Sequence, residues 1–127
     1  MPNTKLLLPL LSVALITVSA CKKEAGPDGN ATITGHVKHH EDAIPNATVY
    51  IKYGATELPG TDPIDYDDEA TASASDAHYS FTGLKRGDYY LFAIGFDSAC
   101  VCDVIGGVSI SIEEKDETVE TNVPVTE

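Results

Sequence analysis

Apolar side chains recur at every second position from Ala31 onward, and this period of two constrains the fold more than any other feature of the sequence. Ile33 and Val37 alternate with polar residues in the first such segment, and Val49 and Ile51 do so in the second. Because successive side chains of a β-strand point to opposite faces, this pattern predicts half-buried strands. Gly, Pro, Asp and Asn separate the segments, as turns require. The sequence therefore predicts an all-β domain.

The segments are short and numerous enough for two packed sheets. We expect residues 31–37 and 47–51 to pair as an antiparallel hairpin. Residues 54–69 are too polar and too rich in proline for a core strand, and are predicted to form the longest loop. The whole pattern predicts an antiparallel two-sheet sandwich of about seven strands, built from residues 31–127.

The segment from Asp88 to Phe96 is apolar on both faces. Such a strand is either central and covered on both sides, or it exposes an aromatic stripe to a partner. Coverage is favoured because the residues after Phe96 are able to fold over it. If the stripe is exposed, Tyr90, Phe92 and Phe96 would form the face for a protein or glycan partner.

Several residues resemble the carboxypeptidase regulatory-like domain, a transthyretin-like or prealbumin-like sandwich. They are Ile33, Gly35, Val37, Ile44, Pro45, Asn46, Ala47, Thr48, Val49, Tyr79, Phe81, Leu84, Gly87, Tyr89 and Leu91. The resemblance covers most of residues 31–96 and implies architecture rather than activity. Tyr89 is expected to act as a tyrosine corner, with its hydroxyl bonded to nearby backbone. His78 stands where such domains usually have a turn glycine, so a left-handed conformation is expected there.

The first twenty residues have the character of an export signal. Lys5 is followed by an uncharged apolar run that is shorter than the roughly 20 residues needed to span a bilayer. Small residues then lead to a cysteine, in the order Val18, Ser19, Ala20, Cys21. This resembles the lipobox of bacterial lipoproteins, which implies cleavage before Cys21, a diacylglycerol on its sulfur and an acyl chain on its amino group. An ordinary secretory signal with Cys21 as a bystander is the alternative.

These features divide the chain into three parts. Residues 1–20 are predicted to be the signal peptide, residues 21–30 a lipidated flexible tether rich in Gly and Pro, and residues 31–127 the folded domain. The protein is expected at the cell outer membrane, held through its lipid, on either the periplasmic or the outer side.

The charge of the chain excludes one class of partner. It carries 20 acidic and 8 basic residues, a formal net charge of -12 at pH 7. Binding to nucleic acid is therefore not expected. The same charge opposes a purely electrostatic contact with anionic membranes, so membrane attachment depends on the lipid.

Cys100 and Cys102 are the cysteines that remain when Cys21 is lipidated. In an ideal strand they would share a face at about 7 Å, beyond disulfide reach, so a bond between them requires a bend. A local disulfide and a pair of free thiols both remain open, and a redox or metal role is a further alternative.

His36, His39 and His40 lie close together in sequence beside Glu41 and Asp42. Two imidazoles and a carboxylate suit zinc or copper, although the spacing matches no fixed metal motif and solvated histidines are the simpler interpretation.

No nucleophile with a matching base, and no phosphate-binding glycine loop, is recognisable in the sequence. We therefore predict no catalytic residue, no cofactor, and an accessory, structural or ligand-binding role at the cell envelope. The alternatives are a metal-binding lipoprotein that uses the histidines and an adhesion module for glycans or proteins.

Overall fold

A computed structural model describes residues 24–127 of the 127-residue chain. Within this range the elements are β1 (Pro27–His39), β2 (Asp42–Ala43), β3 (Thr48–Tyr53), a 3-10 turn (Pro63–Asp65), β4 (Asp68–Thr71), β5 (His78–Leu84), β6 (Gly87–Asp97), β7 (Cys102–Ile112), β8 (Thr118–Glu120) and β9 (Val123–Pro124). The predicted signal peptide and the lipidation of Cys21 lie outside the described residues. No helix between residues 24 and 127 has the length and apolar character needed to cross a membrane.

The strands form the predicted two-sheet sandwich. One sheet has five strands and is centred on β1, which pairs with β2, β5, β8 and β9. The other has four strands in the order β4-β3-β6-β7. Antiparallel pairing dominates, but β8 and β9 run parallel to β1, which the sequence analysis did not anticipate.

The predicted hairpin of residues 31–37 with residues 47–51 is wrong. β1 pairs with β5 in one sheet, whereas β3 pairs with β6 in the other. Alternation specifies which face of a strand is buried and is silent about which strand lies beside it. Both segments do bury the predicted side chains, because Ile33, Val49 and Ile51 are fully buried between the sheets.

The folded domain begins earlier than predicted. β1 starts at Pro27, which lies opposite Leu84, and the register shifts between Pro27 and Ala31. One residue before the strand, the Gly26 carbonyl accepts a hydrogen bond from the Lys85 amide at 2.9 Å. Residues 27–30 therefore belong to the sandwich and not to the tether. Their Gly, Pro and Asp content suits an irregular strand end as well as a linker.

The predicted tyrosine corner is confirmed. The buried Tyr89 hydroxyl donates to the Lys85 carbonyl at 2.6 Å and accepts from the Gly26 amide at 2.9 Å. This burial raises the pKa of Tyr89. One side chain thus joins β6 to both the turn before it and the start of the domain.

The left-handed residue in the turn before β5 is Ala77, with φ of +60°, and not His78 as predicted. The His78 amide donates to the Ser73 hydroxyl at 3.1 Å, and His78 already lies in β5 opposite His36. Ala77 is completely buried in this left-handed position, a conformation that is costly for any residue with a Cβ.

Candidate functional site

A cluster of aromatic rings lies on the outer face of the four-stranded sheet. Phe92 on β6 points away from the main core and is nevertheless only 2% exposed. The Tyr66 ring covers it in a stacked arrangement, with the centroids 5.6 Å apart and the planes at 11°. The Tyr50 ring of β3 packs against the Tyr66 ring in a tilted arrangement, with the centroids 5.7 Å apart. The loop between β3 and β4 therefore folds back over this sheet.

Hydrogen bonds within the covering loop fix its shape, and the Asp67 amide attaches the loop to β3 by donating to the Ile51 carbonyl at 2.9 Å. Asp62 caps the 3-10 turn by accepting from the Ile64 amide at 3.1 Å. The Tyr66 hydroxyl donates to the Gly60 carbonyl at 2.7 Å. Burial, with smaller contributions from Tyr90 and Asp65, raises the pKa of Tyr66 to about 12. The phenol therefore stays neutral at physiological pH.

An open groove of about 420 Å³ runs beside these rings. We call it the tyrosine groove, and it is lined by Tyr50, Pro63, Ile64, Tyr66, Asp67, Asp68 and Glu69. Asp68 and Glu69 were predicted to lie in the loop, but they begin β4, opposite Ile51 and Tyr50. Asp67 accepts a hydrogen bond from the Tyr53 amide at 2.8 Å. The groove thus combines two aromatic side chains with three carboxylates.

The predicted partner face of Tyr90, Phe92 and Phe96 does not form as a continuous stripe. Phe92 is covered by Tyr66, whereas the segment expected to cover it was the one after Phe96. Tyr90 is half-buried, and its ring lies close over Gly107, so that a Cβ added to Gly107 would come within 2.6 Å of the ring. Phe96 is 51% exposed. Tyr66 was missed because a single aromatic residue in a polar loop carries no periodic signal.

The three histidines do not converge on one point. His36 lies 3.5 Å from the Asp76 carboxylate and packs edge-on against His78. His39 turns to the opposite side of β1, is 5% exposed, and stacks on His40 at a centroid distance of 4.5 Å. Residues 36 and 39 are an odd number apart on one strand, so their side chains point to opposite faces. One ion shared by all three histidines therefore does not fit this arrangement, and metal binding by two of the imidazoles and a carboxylate stays a prediction.

His39 instead joins a group that the sequence analysis did not anticipate. Its Nδ1 lies 2.7 Å from Oδ2 of Asp97, which ends β6 and is 8% exposed. A nitrogen of His39, a carboxylate oxygen of Asp97 and the Cys100 sulfur all lie within 4.8 Å of one another. We call these three residues the His39 cluster. The hydrogen bond from His39, together with one from the Ala99 amide, lowers the pKa of Asp97.

Cys100 and Cys102 form a disulfide, which is one of the two alternatives left open by the sequence. Their Cα atoms are 5.3 Å apart, within disulfide range, because the chain bends, as a disulfide at this spacing requires. Val101 provides the bend with φ of +55°, an unfavourable conformation for a β-branched residue. The carboxylate of Glu127 lies within 4.8 Å of both sulfurs.

No protein family and no curated protein matches the chain. Solved structures do match it. A candidate carbohydrate-binding protein from Pseudomonas aeruginosa is 11% identical with a TM-score of 0.53, and the match covers 79% of this chain and 91% of that one. A DUF3823 family protein from Parabacteroides merdae is 14% identical with a TM-score of 0.47, covering 77% and 46%. The major pilin subunit BcpA of Bacillus cereus is 11% identical with a TM-score of 0.48, covering 80% and 30%.

The fold is a β-sandwich. At these identities the likeness to the Pseudomonas protein supports the two-sheet architecture and carries no narrower family assignment. The chain spans less than half the length of the Parabacteroides and Bacillus chains.

Proposed function

We propose that this protein is a lipid-anchored module of the cell envelope that binds neutral glycans in the tyrosine groove without catalysing a reaction on them. The observation that carries this proposal is the meeting of Tyr50 and Tyr66 with three carboxylates in one groove. The similar Pseudomonas structure, described as a candidate carbohydrate-binding protein, agrees with it.

The groove offers the two kinds of contact that a sugar ring requires. Tyrosine rings present a flat apolar surface to the C–H face of a sugar and keep a polar edge. Carboxylates accept hydrogen bonds from sugar hydroxyls, and charged acceptors strengthen these bonds. A volume of about 420 Å³ lies within the range of small-molecule sites.

The charge of the groove selects among glycans. The three carboxylates of the groove repel uronic acids, sialic acids and sulfated sugars, although Lys52 lies 3.5 Å from Asp67 and offsets part of its charge. The net charge of -12 adds to the repulsion. Neutral hexoses are the ligands that this charge distribution admits.

Binding of neutral oligosaccharides to the full chain can be measured by titration calorimetry. We expect Tyr50→Ala to weaken the affinity about five- to thirtyfold, since one lost stacking contact removes roughly 1–2 kcal/mol. Phe96→Ala is the matched control, because it removes an exposed aromatic ring outside the groove. Equal losses in both variants, or no binding of any neutral glycan at millimolar concentration, would refute the proposal.

The position of the basic side chains supports anchorage at the start of the domain. A cavity of about 350 Å³ beside Gly29 is lined partly by Lys85, Arg86 and Lys115. Only two other basic residues, Lys38 and Lys52, occur within residues 24–127. Three of these five basic residues therefore lie where the chain leaves toward Cys21. They offset the acidic Glu24 and Asp28 that line the same cavity, which reduces repulsion between this end of the domain and an anionic membrane.

The distance between anchor and domain is short. Gly26 is held by Tyr89, so the segment from Cys21 spans at most about 18 Å when fully extended. The proposal predicts that the purified native protein carries acyl chains on Cys21, with the leader removed. Mass spectrometry that finds Cys21 unmodified, or Cys21→Ser remaining in the membrane fraction, would contradict the anchor and leave glycan binding to be judged separately.

A further inference from the structure

We infer that Cys100 and Cys102 form a thiol–disulfide exchange site in which His39, oriented by Asp97, acts as the base for the Cys100 thiol. This activity is separate from glycan binding and uses none of the residues of the tyrosine groove.

The position of the disulfide makes it reactive. The Cys100 side chain lies at an exposed turn between β6 and β7, and Val101 between the two cysteines is 76% exposed. Opening the bond lets Val101 leave its unfavourable left-handed conformation. Exposed and locally strained disulfides are the ones that exchange, whereas structural disulfides are usually protected.

The His39 cluster supplies the acid–base chemistry. Nδ1 of His39 is engaged by Asp97 at 2.7 Å, while its Nε2 is buried and has no hydrogen-bond partner. A buried polar nitrogen without a partner is costly, so it requires an explanation. A histidine oriented by a carboxylate beside a thiol is the arrangement that activates cysteine nucleophiles.

An external dithiol reduces the Cys100–Cys102 disulfide in two steps, and is itself oxidised. A thiolate of the dithiol attacks the Cys100 sulfur and a new S–S bond forms. The Cys100–Cys102 bond breaks with its electron pair on Cys102, which takes a proton from water. The second thiol of the reagent then gives its proton to water and attacks the reagent's other sulfur, the one bonded to Cys100. This step releases the Cys100 thiolate. The dithiol is oxidised to a disulfide, and the protein disulfide is reduced by two electrons.

His39 acts on the Cys100 half of this cycle. In the reduced protein the imidazole takes the Cys100 proton, and the resulting cation stabilises the thiolate, while the Asp97 carboxylate stabilises the imidazolium. In the reverse direction Cys100 attacks an external disulfide, and Cys102, which is half-buried, resolves the mixed disulfide.

The first test is reduction of the folded full chain carrying Cys21→Ser, in which Cys100 and Cys102 are the only cysteines. We expect millimolar dithiothreitol to reduce the disulfide within minutes without denaturant, with mass spectrometry counting the alkylated thiols. A disulfide that is reduced only after unfolding in denaturant overturns the proposal, whatever the behaviour of any variant.

The second test asks whether His39 acts on one thiol selectively. His39→Asn keeps an N–H able to donate to Asp97 and removes the second ring nitrogen. We expect the alkylation rate of reduced Cys100 at pH 7 to fall about tenfold, which corresponds to a rise of one unit in the pKa of its thiol. The alkylating reagent should then no longer react faster with Cys100 than with Cys102. His36→Asn, on the same strand but outside the cluster, should change neither.

A merely structural role of His39 would alter both cysteines alike, so the ratio of the two rates distinguishes the roles. An unchanged ratio in His39→Asn, with circular dichroism showing a folded domain, refutes the assignment of the base.

Discussion

Replacing Tyr89 with phenylalanine removes one hydroxyl group that holds two parts of the domain together. The hydroxyl bonds to the Lys85 carbonyl at 2.6 Å and to the Gly26 amide at 2.9 Å. Each lost hydrogen bond contributes about 1 kcal/mol net, and a buried N–H left unpaired adds a further cost unless water reaches it. Because Gly26 lies at the start of the domain and is able to move toward water, we take about 2 kcal/mol as the total.

Thermal unfolding followed by circular dichroism measures this loss. For a domain of roughly 100 residues, about 2 kcal/mol lowers the midpoint by roughly 8–16 °C. Limited proteolysis should also cut the variant sooner in the residues before β1, since Gly26 is released. Tyr90→Phe on the same strand is the control and should shift the midpoint by less than about 3 °C, as most partly exposed substitutions do. Equal midpoints for Tyr89→Phe and Tyr90→Phe would refute the role of the tyrosine corner.

Three further expectations rest on separate observations. Burial raises the pKa of three tyrosines, Tyr66, Tyr79 and Tyr89, above 10.0. As the pH rises above 10.0 the unfolded chain loses these protons before the folded chain does, so the stability of the domain should fall. Denaturant titrations at pH 9 and 11 would detect this fall. Gly35→Ala should prevent folding or cost more than about 3 kcal/mol, because the added Cβ meets the Thr121 backbone carbonyl, and soluble yield and circular dichroism report this. Val101→Asn should stabilise the oxidised protein by about 1 kcal/mol, seen as a higher thermal midpoint, since asparagine tolerates the left-handed conformation better.

Local patterns were sufficient for the buried faces of the main strands. Alternation identified the buried side of β1 and β3, and the spacing of Tyr89 from Gly87 identified the tyrosine corner. Both features depend on residues a few positions apart, so they can be recognised in one sequence. Strand geometry also showed that a disulfide between Cys100 and Cys102 requires a bend, but the sequence left open whether the bond forms.

Long-range packing decided the candidate sites. Tyr66 covers Phe92 across 26 positions of sequence, and His39 meets Asp97 across 58. No local pattern encodes either meeting, because each depends on which strands become neighbours and how a loop folds back. The sequence by itself determined an all-β chain with an acidic surface, whereas the tertiary structure alone decided the partner of each strand. Side-chain alternation is a property of one strand, while pairing and the convergence of distant residues are properties of the assembled sandwich.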